Sequence, residues 1–375
     1  MIAPNMRSAD LWPLLTARHA KFLIAIARGA GKTEPAATLR ASTPVASMSI
    51  RSYFRLALHT QMLPLLESGE ETLVGGQAVM EGVMMRTPHN YCTAVRRASG
   101  EIVTEESHLP RVSETYPIFK YPILRGVGTL GQAMWLGVKA LKFSANVAMA
   151  DENSKDGKPE GSEIPAWVMT ANLVFSLLFF IVLYKFVPLW LTTQLQNVYP
   201  VIENRILFNL VDGVIRIAIF ITFLFGLSRY KDIHRVFEFH GAEHKVVFNF
   251  ESGKPVTTAN AQSYVTFHPR CGTSFLLVVM VISMVLYTLL PVDGFAQKFA
   301  ARIVLLPLIA GLSYELIRFA ARQRGSLLAL MTAPGLWLQK ITTQPPNDEQ
   351  VEVAIHALNS SMALEKKQGG ELVIA

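Results

Sequence analysis

The chain has 375 residues, 51% of them hydrophobic, a mean hydropathy of +0.31, a formal net charge of +7 and two cysteines. That apolarity argues against an ordinary soluble enzyme and for a membrane class, and two cysteines, Cys92 and Cys271, exclude a disulfide framework. Residues 1–60 carry eight Lys/Arg against two Asp/Glu, a surplus of six that leaves +1 for the remaining body, so no basic stripe addresses a nucleic acid.

Residues 1–70 are a basic lead rich in Ala, Ser and Arg. The apolar run Phe22–Ala27 is too short for the core of a signal peptide, and GAGKT at Gly29–Thr33 has Ile26 where a phosphate loop requires glycine. We expect a disordered extension or an early start, with Met48 or Met62 as alternative starts, in preference to an amphipathic targeting segment.

Residues 71–123 read as a small Gly-rich α+β domain on the cytosolic side. GGQAVMEGVMMR (Gly75–Arg86) brings glycines for tight turns or close backbone approach, with Glu81 and Arg86 able to reach a ligand or each other. Alternation of β-branched and polar residues around Ser99-Gly100 predicts a hairpin over Tyr91–Ser107. Residues 124–150 read as a helix lying in the membrane interface or packed beneath a bundle, since its glycines, Lys139 and Lys142 suit a span poorly. Residues 151–165 have the composition of a solvated linker.

Residues 166–320 contain four apolar stretches, Ala166–Val187, Ile206–Leu227, Ser274–Leu290 and Phe299–Ala320, each near the roughly 20 residues that cross a hydrocarbon core. The fold class expected is therefore a mainly α-helical membrane protein with about four transmembrane helices, the small N-terminal domain and an interfacial helix. Six Lys/Arg in the segment 228–272, with Lys120, Arg125, Lys139 and Lys142 before the first span and Arg318, Arg322 and Arg324 after the last, put both termini in the cytosol by the positive-inside rule. The lipid bilayer is the expected partner and a bacterial inner membrane the expected location. Residues 321–375 comprise an apolar segment broken at Pro334-Gly335, read as re-entrant or interfacial, and an amphipathic final helix capped by Asn347 or Asp348.

The chemistry concentrates in residues 228–272, a His-rich loop holding four of the nine histidines and one of the two cysteines. His240 and His244 are four apart, so on a helix their rings share a face, and Glu243 between them gives H-x-x-E-H, the inverted zinc-peptidase pattern. Either His268 or Cys271 would complete a three-donor site for a divalent metal, zinc first, with Glu243 as general base. Gly241 inside the motif weakens the helix expectation. The bland alternative assigns His234 and His240 to a helix C-terminus, pairs Glu243 with Lys245 or Arg235, and leaves Thr273 or Ser274 to cap the third span. A third account makes Cys271 a nucleophile with His268 or His244 as base. Within the spans, Asp212 and Arg216 are spaced to neutralise each other, and Glu315 is either functional or an interfacial partner of Arg318.

GGQAVMEGVMMR, HGAEHK (His240–Lys245), HPRCGTSF (from His268), GLSYEL and PGLWLQ together resemble the YqhQ-like proteins, a bacterial membrane-protein family of unknown function sometimes labelled as predicted metal-dependent enzymes. The likeness covers about Val74 to Leu358 and implies a multi-pass inner-membrane protein. The leading reading is a cytosol-facing metalloprotein whose reaction would be hydrolysis, using His240, His244, His268 or Cys271, and Glu243, with Glu81 and Arg86 nearby. The alternatives are a non-catalytic scaffold or assembly factor and, third, a transporter working through Asp212, Arg216 and Glu315.

Overall fold

A computed structural model of the chain describes residues 74–155, 165–268, 271–322 and 333–367. The expected extension at residues 1–70 and the whole of the apolar run 327–332 before Pro334-Gly335 lie outside the described residues. The described chain is mostly helical, with one small antiparallel sheet near its N-terminal end.

Strands β1 (Gly75–Val79), β2 (Gly82–Arg86), β3 (Asn90–Arg96) and β4 (Ile102–His108) form a meander in sequence order. Tyr91 pairs with Ser107, so β3 and β4 are the hairpin that alternation suggested, and Gly100 takes the positive φ (90°) its turn requires. The run GVMMR is apolar without alternation because both faces of β2 are covered. Val83 and Met85 face a core with Phe239, Ala242, Val246 and Ala354, whereas Met84 faces Leu136 and Ala140.

The second of those faces is covered by α1 (Leu124–Lys155), which runs five residues into the expected linker. Its first turn crosses another helix closely: a Cβ on Gly126 would lie 2.7 Å from Tyr314 Cβ. Helix α2 (Ala166–Ile181) passes through a π-turn (Val182–Phe186) into α3 (Val187–Val198). Pro188 accounts for the wider turn, since it has no N–H and its ring crowds the carbonyl four residues back. Helix α4 (Arg205–Leu227) follows, capped by Asn204, whose side chain accepts from Ile206 and Leu207 N–H.

The segment 228–272, expected to be a loop, is largely helical: α5 (Lys231–Glu251) and a short α6 (Thr258–Gln262) occupy most of it. Then come α7 (Gly272–Leu289), α8 (Phe295–Val304), α9 (Leu306–Arg322), α10 (Ala333–Thr342) and α11 (Asp348–Lys367). Pro334-Gly335 sits in the first turn of α10, a position proline tolerates. Asn347 caps α11 reciprocally with Gln350, each backbone N–H bonding the other's side-chain oxygen at 2.9 Å.

The expectation of about four spans is supported in part. Among the described residues, two helices are long and apolar enough to cross a membrane, Trp167–Val198 and Arg205–Leu227, or three if the α8–α9 pair, bent by 51°, counts as one. Helix α7 is shorter, with its apolar part at Phe275–Leu289. Leucines and phenylalanines of α2 point outward, Phe175 at 69% and Leu178 at 57% exposure, which suggests a membrane protein.

Candidate metal centre

Helix α5 carries His240, Glu243 and His244, and it continues through Gly241 for a steric reason. The chain after α10 lies directly on the helix there: a Cβ on residue 241 would stand 2.0 Å from the Gln344 carbonyl oxygen. Gln344 N–H donates to Phe237 O at 2.9 Å, fixing that crossing. The glycine that weakens the helix locally thus lets a second segment reach the histidines.

That segment and its neighbour hold both rings. His240 Nδ1 lies 2.7 Å from Thr342 O, and His244 Nδ1 lies 2.5 Å from Thr266 O. A carbonyl only accepts, so each Nδ1 carries a hydrogen, and Nε2 is the ring nitrogen left to face the cluster. Cys271 Sγ stands 3.3 Å from His240 Nε2 and 3.3 Å from Thr273 Oγ1. One donor atom from each of His240, His244 and Cys271 falls within 4.8 Å of the others. Ring centroids of His240 and His244 are 4.5 Å apart.

Of the two residues expected to complete the set, Cys271 joins it and His268 does not. His268 is buried beside the pair, its ring centroid 5.6 Å from that of His244 and 4.5 Å from that of Phe248, and its Nε2 turns toward Glu251 Oε2 at 3.5 Å. Its backbone is clamped at two points by Gln339, which accepts from His268 N–H at 2.7 Å and donates to His268 O at 2.8 Å.

Burial dominates the electrostatics. It raises the Glu243 carboxyl to about 7, with His240 opposing that rise, Cys271 adding to it and a backbone hydrogen bond from Gly76 opposing it. It pushes His244 below its ordinary value and His268 down to about 4, so burial favours the neutral form of these rings, the one that ligates. Burial would also raise the Cys271 thiol, but hydrogen bonding and charge from His244 and contacts with Thr273 outweigh it, and the thiol lies below its usual range.

Other expected roles are corrected. Glu81 does not approach the donors: it occupies the β1–β2 turn with φ of 53° and is paired with Arg235, whose Nη2 donates to Oε2 at 2.7 Å. Arg86 neither pairs with Glu81 nor joins the site; it is half-buried near Tyr314 and Arg111. The Gly-rich strand does reach the site, through Gly76, where a Cβ would lie 2.9 Å from Glu243 Cγ. Lys245 donates instead to Gln262 O at 2.8 Å and Tyr264 O at 2.6 Å, so Glu243 pairs with neither Lys245 nor Arg235. Cys271 itself is the N-cap of α7 and makes no side-chain capping bond, so neither Thr273 nor Ser274 holds that position. Glu315 pairs with Arg125 rather than Arg318, Arg125 Nε donating to Oε1 at 2.5 Å. Asp212 and Arg216 do pair, but Arg302 joins them, Nη1 donating to Asp212 Oδ1 at 2.6 Å.

Gly76 makes the close backbone approach expected of the Gly-rich run, whereas sequence reasoning missed Thr266, Gln339 and Thr342. Of these Gln339 alone left a visible signal, as a lone amide ending the apolar run of PGLWLQ; the two threonines act through backbone carbonyls that any residue would supply.

The donor set fits zinc. Two imidazole nitrogens and one thiolate are ligands of borderline softness, and three protein donors leave a fourth position open. Bonds of 2.0–2.3 Å in tetrahedral geometry put donor atoms about 3.5 Å apart, close to the 3.3 Å between Cys271 Sγ and His240 Nε2. The carbonyl contacts at Nδ1 are of the kind that orient histidines in known metal sites.

Comparison with known proteins gives a family without naming a reaction. The chain is 34% identical over 300 residues to a Bacillus subtilis (strain 168) protein named "Uncharacterized protein YqhQ", covering 78% of this chain and 92% of that one. No solved structure matches. A family profile described as "Protein of unknown function (DUF1385)" matches residues 121–364, taking in the donor cluster and all of the apolar helices, and the chain therefore belongs to that family.

Proposed function

We propose that this protein is a multi-pass bacterial inner-membrane metalloprotein that binds one divalent ion of the zinc class through His240 Nε2, His244 Nε2 and Cys271 Sγ, at the cytosolic ends of its apolar helices, and that hydrolysis is its chemistry. The observation that carries this reading is the convergence of three donor atoms within 4.8 Å, with both Nδ1 atoms already committed to carbonyls. The basic residues of 228–272 and those flanking the apolar stretches support the orientation. When bound, such an ion acts as a Lewis acid and lowers the pKa of a water to about 7. Glu243, buried next to the ligands on α5, is placed to accept the proton of an attacking nucleophile. His268 and Phe248, both buried, pack ring against ring beside the pair, with 4.5 Å between centroids.

A second reading, a non-catalytic scaffold, is favoured by the Gly76 backbone bond to Glu243, which joins sheet to helix. Elemental analysis of the full chain in detergent, beside His244→Ala, separates the two. The metalloprotein reading predicts about one zinc-class ion per chain and its loss in the variant. Absence of metal in wild type even after zinc loading would leave the scaffold.

A further inference from the structure

The other end of α7 holds a second polar assembly. Asp212 lies about two turns inside α4 and Arg216 one turn deeper. Arg216 Nη2 donates to Asp212 Oδ2 and Nη1 to Ser283 Oγ at 2.6 Å, while Arg302 Nη1 donates to Asp212 Oδ1 at 2.6 Å. Both guanidiniums also lie over the Tyr287 ring, at 5.4 and 5.2 Å. The three side chains are at most 3% exposed.

The charge does not balance. Guanidinium groups keep their protons in proteins, so two fixed positive charges share one carboxylate. Lys185, whose Nζ donates to Tyr287 OH at 3.2 Å, adds positive charge or none and cannot reverse the sign. Among the described residues no second carboxylate bonds either guanidinium, and Arg216 Nε is buried with no partner. An uncompensated buried charge is strongly unfavourable, so an anion belongs here.

There is room for one. A cavity of about 620 Å³ opens against Arg302 and Tyr287. On its lining, Glu203 and Asp293 match Arg205 and Lys298 in charge, which leaves Arg302 as the excess. The cavity meets the first turn of α4, the positive end of a 23-residue helix. The Arg302 guanidinium uses Nη1 for Asp212 and makes no other hydrogen bond among the described residues, so the rest of its fork is available for bidentate contact with an oxyanion.

We propose that this cavity binds a phosphate group, carried by an anionic lipid or free, through Arg302 with Lys298 assisting from the rim. The volume far exceeds what a halide needs, and planar fork-to-oxyanion matching favours phosphate. The site is independent of the histidine cluster at the opposite end of α7.

The test uses the full chain, purified in detergent and stripped of lipid, with thermal unfolding and Kd as readouts. One arm titrates inorganic phosphate against chloride at equal ionic strength; the other compares nanodiscs of phosphatidylglycerol with nanodiscs of phosphatidylcholine. We expect the unfolding midpoint to rise by several degrees in at least one arm, and the arm identifies the source. Arg302→Gln, which leaves the Asp212–Arg216 pair neutral, abolishes the rise, and Lys298→Ala at the half-buried rim weakens Kd about five- to tenfold. No rise in either arm, or a wild-type rise in Arg302→Gln, overturns the proposal. Should Arg302→Gln show no cooperative transition, an unchanged Kd in Lys298→Ala overturns it equally.

Discussion

Replacing glycine by alanine inside a helix normally stabilises a protein by about 1 kcal/mol. At Gly241 the structure predicts the opposite sign. The new methyl would stand 2.0 Å from Gln344 O, 3.2 Å from Gln344 C and 3.3 Å from Pro346 Cδ, so it meets backbone rather than a flexible side-chain tip. Such overpacking costs about 1–3 kcal/mol. Displacing the crossing segment also removes the Gln344 N–H bond to Phe237 O (2.9 Å), a further loss of about 0.5–1.5 kcal/mol. After the propensity gain, Gly241→Ala is destabilising by about 0.5–3.5 kcal/mol, a fall of several degrees in Tm. Because Thr342 O moves with that segment, zinc affinity should also drop about 10- to 100-fold, as when an outer-shell partner is lost. Gly131→Ala on α1 is the control: nothing lies within 4 Å of its Cβ, so it should raise Tm. The assay is thermal unfolding of both variants in detergent with zinc titration alongside. A Gly241→Ala protein as stable as wild type or more so would refute the close-crossing account.

Two further outcomes follow from groups away from the donors. Burial pushes the Glu365 carboxyl up, but bonds from His89 (Nδ1, 2.8 Å), Asn90 (2.7 Å) and Thr87 (2.8 Å) outweigh it and hold it below the ordinary carboxylate value. Its stabilisation is therefore complete above the unfolded value near about 4.3 and is lost as pH falls through the folded value. Denaturation curves from pH 7 to pH 3 should show wild type converging on Glu365→Gln; parallel profiles would contradict the assignment. The Arg125–Glu315 pair ties the first turn of α1 to α9. Either charge reversal alone should lower Tm and the double swap Arg125→Glu/Glu315→Arg should restore it, with a coupling near the upper end of the surface range, about 1 kcal/mol; an additive double variant would point to a role for Glu315 other than pairing.

Much of this was legible from spacing alone. His240 and His244 at four residues, with Glu243 between, needed only a helix to share a face, and α5 supplies it. The hairpin was visible because Tyr91–Ser107 alternates around Ser99-Gly100. Other features were illegible for definite reasons. Gly241 read as a helix weakness because local propensity cannot see the Gln344 backbone lying on it. Choosing Cys271 over His268 depended on how Gln339 clamps residue 268, a contact between segments 71 residues apart. Arg302 was invisible as a partner of Asp212 because its charge lies 90 residues away, on a short helix at a bend. Treating 228–272 as a loop followed from its polarity, yet α5 buries Ala242, Val246 and Val247 against the sheet and α11, which apolar density alone does not reveal.

The most direct measurement of the central claim, that two imidazoles and one thiolate close on a single ion, is the absorption spectrum of the full chain titrated with cobalt(II). The account predicts intense visible bands of a tetrahedral ion with a sulfur-to-cobalt band in the near ultraviolet. Cys271→Ser should abolish the sulfur band, His244→Ala should weaken both, and His268→Ala should leave both in place. A weak octahedral spectrum, or one indifferent to Cys271→Ser, would contradict the site.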